Sequence, residues 1–170
     1  MKPNALSLAN YFVYLAGNEG IELRQFGLMK RVYIAHGFCL AIYDMSALDS
    51  RFDVVEAWDN GPVIPSVYHS FKYNRDNPII HKAVIVDYKN EEDIRYIVPE
   101  IEDGRIKKVA EAVWKRYYGV PDFQMIKLTH ASGTPWEMCY ERGYNRIIPD
   151  AYTKKYYSKL VEYEVNREDV

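Results

Sequence analysis

Cysteine is almost missing from this chain: Cys39 and Cys139 are the two in 170 residues. Two are too few for a disulfide framework, and their wide separation fits no zinc-ligand spacing. Cys39 lies in an apolar run and reads as a small buried hydrophobe. A reducing compartment fits, and the cytoplasm is the expected location. Long apolar runs are absent too; none approaches the ~18 residues of a membrane span. Lys2, Pro3 and Asn4 lead into a helix carrying polar Ser7 and Asn10, not into the apolar core of a secretory leader, so none is expected. There is no excess of positive charge: 22 Lys and Arg face 24 Asp and Glu, a formal net of -2. Such a balance provides no global field to collect nucleic acid, and no nucleic-acid partner is expected. Neither an H-E-x-x-H or C-x-x-C pattern nor a phosphate-cradling glycine loop occurs, so no metal and no cofactor are expected.

Tyrosine, by contrast, is plentiful at 16 residues. Its apolar body and polar tip suit core edges and partner surfaces alike. Helical periodicity predicts helices over 5–16, 28–43, 65–73, 105–118 and 150–163, with a short one that Asp122 can cap, and 52–58 reads as extended. The segment 28–43 is apolar nearly all round, which marks it as the central buried helix; Lys30 and Arg31 are its exceptions, and Lys30 is expected to reach solvent along its stem. Residues 79–86 and 94–98, rich in β-branched side chains, predict a small hairpin with 87–93 as its connection. Thr134-Pro135-Trp136-Glu137 has the form of a capping box with Pro at the first helical position. The sum is a predominantly α-helical α+β fold, a compact helical domain with a small β-hairpin. One domain over 1–165 is expected, with 166–170 a frayed tail.

The densest stretch is 56–72, EAWDNGPVIPSVYHSFK. Asp59, Asn60, Gly61 and Pro62 are a turn signal, because Gly tolerates positive φ and Pro fixes φ and removes a donor. Trp58 precedes the turn, Val63 and Ile64 follow it, and Pro65 can open a helix. This reads as a structural corner that anchors or presents a surface.

Candidate chemistry is thin. His36 sits on an apolar helix and reads as a core histidine; His69 and His81 read as surface groups. His130, preceded by Thr129 and followed by Ser132 and Thr134, reads as a structural residue at a helix end. A hydrolase built on it would need a nucleophile and an orienting acid within reach, and no spacing places Ser132 or Cys139 there. Tyr152–Lys159 interleaves tyrosines with lysines, a pattern that can bind single strands, but an amphipathic helix with Tyr152, Tyr156 and Leu160 on its inward face explains it as well. No enzymatic role is expected.

The motif AWDNGPVIPSVY closely resembles the signature of the Panacea domain, the SocA-like antitoxin family of bacteria and their phages. Three further pieces follow in order: LMKRVYIAHG over 28–37, Leu128-Thr129-His130, and Pro135-Trp136. The resemblance departs at Met29 and Arg31, where many members carry Gln and Leu. It implies an antitoxin that binds and neutralises a cognate protein toxin by direct contact, and it extends to adapters that hand the toxin to an ATP-dependent protease. A phage or mobile-element protein that binds a host factor is the alternative within the same fold. The expected contact residues are Lys30, Arg31, Tyr33, Trp58, Asn60, Tyr68, Lys72 and Tyr73, since Trp, Tyr and Arg are the usual interface anchors. Gly61, Pro62, Pro65, Thr129, His130, Thr134, Pro135 and Trp136 are expected to build the motif itself.

Overall fold

A computed structural model describes residues 4–88 and 94–168. The helix Gln25–Tyr43 (α2) occupies the centre. With apolar groups on every side it has no face to leave in water, so other helices close around it. They are Ala5–Glu19 (α1), Pro65–Phe71 (α3), Gly104–Arg116 (α4), Asp122–His130 (α5) and Asp150–Glu168 (α7). A one-turn helix, Pro135–Cys139 (α6), packs on α5 and α7.

Local chemistry sets most boundaries. Asn4 caps α1 by accepting from the Ser7 N–H at 2.8 Å, and Gly20, at φ 66°, ends it in the left-handed region. Asp103 caps α4 by accepting from the Arg105 N–H at 2.8 Å. Asp122 was expected as a cap but is the first residue of α5; Pro121 holds the cap position without a side-chain bond. The capping box at Thr134 is half as expected. Thr134 Oγ1 accepts from the Glu137 N–H at 3.4 Å, but the Glu137 carboxylate reaches the N–H of Gly133, at 2.7 Å, and not that of Thr134. The Thr134 N–H is already donated to the Ala131 carbonyl.

Two small sheets complete the fold. Ile85–Tyr88 (β3) pairs antiparallel with Ile94–Ile97 (β4), in register Ile85 with Ile97. This is the expected hairpin, although 79–84 stays outside the strand and residues 89–93 of its connection lie outside the described residues. The other sheet was not anticipated beyond an extended lead into the corner. Glu56–Trp58 (β1) pairs with Gly61–Val63 (β2) on one side and Arg146–Ile147 (β5) on the other. Strands of two or three residues are too short to carry a readable alternation.

The last helix runs past Tyr163 to Glu168, and its inward face is shifted from the expected Tyr152–Tyr156–Leu160 stripe. Thr153 and Tyr157 are buried, and Tyr152 is exposed. The cause lies in α2: the Tyr157 ring lies against Gly37, where a Cβ would come within 2.3 Å of it. Glycine at that position lets the two helices close. No helix among the described residues is long and apolar enough to cross a membrane.

Candidate functional site

The turn between β1 and β2 is a tight corner clasped from three sides. Gly61 takes φ 99°, a conformation that residues with a Cβ rarely adopt. Space excludes a side chain there as well. A Cβ would lie 2.7 Å from Lys30 Nζ and 3.0 Å from His130 Nε2. Lys30 therefore reaches from α2 to the inside of the corner, and His130, the last residue of α5, closes over the same spot.

Lys30 is fully buried and does not reach solvent, contrary to expectation. Its ammonium donates to the Pro62 carbonyl at 2.9 Å. Burial pushes its pKa down from 10.5 to about 7. The expectation failed because a lysine on a helix enclosed on all sides has no route outward. His130 Nε2 is buried without a hydrogen bond. Its pKa is lowered by burial first and by the Lys30 charge second, against a raising contribution from the Asn60 backbone. The Lys30 charge thus disfavours protonation of His130.

An aromatic stack locks the outer side. The His130 ring lies on Trp136 at 3.9 Å with 8° between planes, and Trp136 lies on Tyr140 at 4.6 Å. Trp136 Nε1 donates to the Trp58 carbonyl at 2.8 Å, fixing α6 to the corner. Trp58 packs edge-on against Tyr68 at 4.9 Å and donates from its own Nε1 to Glu56 at 2.7 Å. The Tyr140 hydroxyl donates to Asp59 at 2.9 Å. Pro65 opens α3 directly behind, and the buried Thr129 returns its hydroxyl to the Met125 and Ile126 carbonyls of its own helix. Behind α3 the buried Asp53 carboxylate accepts from the Ala5 N–H, the Asp49 N–H and the Ser66 hydroxyl, tying α1, the loop and α3 together.

The family described as antitoxin SocA-like, Panacea domain, matches residues 28–137, more than half of the chain. This chain belongs to that family. Antitoxin SocA of Caulobacter vibrioides (strain NA1000 / CB15N) is 30% identical over 135 residues, covering 79% of this chain and 69% of that protein. No solved structure matches at a significant level. The pieces of the Panacea signature, dispersed in sequence, meet here: Lys30 from the first helix motif, Gly61 and Pro62 from the corner, His130 from LTH, Trp136 from PW.

The expected contact residues divide in two. Lys30, Arg31 and Tyr33 are buried and present no surface to a partner. Arg31, the departure from the family pattern, donates to the Gly27, Tyr117 and Val120 carbonyls and lies over the Trp114 ring. It thus ties α2 to the turn that follows α4, a structural task. Tyr33 packs edge-on against Tyr157. Trp58, Tyr68 and Lys72 are half-buried, and Asn60 and Tyr73 are exposed, with Tyr73 82% accessible. Lys72 leans on the Tyr73 ring at 5.1 Å. Asp59 and Tyr140, absent from the expected contact set, belong to the same rim; Asp59 stands in the turn signal itself, whereas nothing in the spacing of Tyr140 from the corner could have located it. His36, as expected, is a core residue, bonded to Asp150 at 3.0 Å.

The arrangement is poor in reacting groups. His130 faces a glycine and a lysine instead of a hydroxyl or thiol, and Ser132 Oγ is occupied by Glu137 at 3.3 Å. Burial raises the Cys139 thiol pKa, which disfavours the thiolate that a nucleophile needs. What the corner offers is a rigid scaffold with an exposed polar and aromatic rim.

Proposed function

We propose that this protein is an antitoxin that binds a cognate protein toxin and silences it by stoichiometric contact, without turnover. The observation that carries the reading is that the family's dispersed signature converges on one rigid corner whose rim stays open. A rim held on a rigid corner loses little loop entropy on contact. Asn60, Lys72 and Tyr73, with Trp58 and Tyr68 at their base, are the contact set. Delivery of the bound toxin to an ATP-dependent protease is the finer step that the resemblance implies. A cytoplasmic site of action accompanies the reading.

Co-expression with the product of a flanking reading frame tests it. The expected result is that the flanking product arrests growth alone and co-purifies with this chain when rescued. Tyr73→Ala and Asn60→Ala should weaken rescue while the melting temperature stays within about a degree, since exposed substitutions cost little stability. Absence of any toxic flanking product, or rescue without co-purification, overturns direct neutralisation. A toxin half-life that shortens on rescue supports hand-over to a protease; an unchanged half-life leaves occlusion alone.

A further inference from the structure

Asn60 is exposed at the tip of the corner, and its side-chain amide has no hydrogen-bond partner among the described residues. Gly61 follows it, and no other asparagine in the chain precedes a glycine. That pair has a chemistry of its own. The backbone nitrogen of the following residue can attack Cγ of an asparagine. A Cβ on that following residue obstructs the approach, and glycine has none.

The corner also prepares the attacking group. His130 donates a hydrogen bond to the Asn60 backbone, where only the carbonyl can accept. That carbonyl belongs to the peptide unit whose nitrogen is that of Gly61. Drawing electron density onto its oxygen makes the Gly61 N–H more acidic, and the deprotonated nitrogen is the nucleophile. Two positions elsewhere lack one part each. Asn145 is exposed with an unpartnered amide, but Arg146 follows it and carries a Cβ. Asp103 precedes Gly104, but its carboxylate accepts from the Arg105 N–H at 2.8 Å and from the Arg105 guanidinium at 3.1 and 2.7 Å. Those bonds keep it ionised, and a carboxylate anion resists attack.

We propose that Asn60–Gly61 is a self-modification site, at which the Gly61 nitrogen displaces the Asn60 side-chain amide and the isoaspartyl product loosens the corner. The bond from Gly61 N to Cγ forms, the Cγ–Nδ2 bond breaks, and ammonia leaves with the proton that Gly61 gave up. Water then opens the five-membered imide. Addition at Cγ yields aspartate. Addition at the Asn60 backbone carbonyl yields isoaspartate, with the main chain running through Cβ and Cγ. The isoaspartyl link lengthens the chain by one carbon beside a glycine set at φ 99°, and it moves the carbonyl that His130 holds. The modification does not rest on the antitoxin reading; its consequence for Asn60 as a contact does.

The test holds the folded full chain in mildly alkaline buffer for days. Peptide mass spectrometry reads each asparagine, and enzymatic carboxyl methylation counts isoaspartate. Asn60 should convert at least about tenfold faster than Asn145 or any other asparagine. Asn60→Gln should remove the methyl-accepting signal, because the longer side chain has to close a six-membered ring. The isoaspartyl fraction, separated by chromatography, should melt below the unaged chain. Asn60→Asp, which adds the charge and keeps the backbone, should melt within about a degree of it. An intact Asn60, or one that converts no faster than Asn145, overturns the site. An isoaspartyl fraction that melts with the unaged chain overturns the loosening. No toxin takes part in these readouts, so this proposal and the antitoxin reading fail separately.

Discussion

An amine buried without a counter-charge is held at a cost, and Lys30 carries that cost beneath the Gly61 corner. Its folded pKa of about 7 lies well below the ordinary 10.5. Between those values the unfolded chain holds a proton that the folded chain has released. Unfolding therefore takes up a proton, and stability rises with pH across the window, by on the order of 5 kcal/mol in full. Lys30→Met keeps the length and removes the charge. The wild-type melting temperature should climb from about pH 7 to about pH 9.5 relative to that variant; parallel profiles would show that Lys30 keeps its proton. Gly61 is constrained twice, by φ 99° and by the crowding of Lys30 and His130. Gly61→Val should lose at least ~2 kcal/mol in denaturant unfolding. An unchanged midpoint would mean that the corner can adopt another conformation.

Among the elements, the β3–β4 hairpin is the most loosely held. Val86, Ile94 and Tyr96 are half to three-quarters accessible, so the hairpin rests little of its surface on the core. Its attachment is polar. The buried Asn10 side chain of α1 accepts from the Ala83 N–H at 2.7 Å and donates to the Ala83 and Pro99 carbonyls at 3.0 and 3.1 Å. One amide thus grips both roots of the hairpin. Asn10→Ala leaves those groups unsatisfied, at about 2 kcal/mol. Amide exchange in β3 and β4 should accelerate while that in α2 stays slow. Equal slowing or equal acceleration in both would show that the hairpin is not an independently opening unit. The helices differ in how far their character could be read beforehand. The α4 stripe of Ile106, Val109, Ala110, Val113 and Trp114 is buried as its periodicity demands. Helix α7 is less regular, and its inward face followed the gap that Gly37 leaves in its neighbour.

At the scale of the whole molecule, the antitoxin reading houses stability and recognition in different residues. Variants under the corner should lower both the melting temperature and growth rescue, whereas rim variants such as Tyr73→Ala should lower rescue alone. Local order along the chain was legible in its residues. Helices follow from spacing and caps, the corner from Asp59-Asn60-Gly61-Pro62, and the central position of α2 from apolar residues on all sides, because those signals act between residues close in sequence. The inward direction of Lys30, the closure of His130 over Gly61 and the third strand of the corner sheet were not. Each depends on segments dozens of residues apart arriving at one place. Burial and pKa belong to that arrangement: the same lysine is a solvated cation on an open helix and a reluctant base inside a closed one.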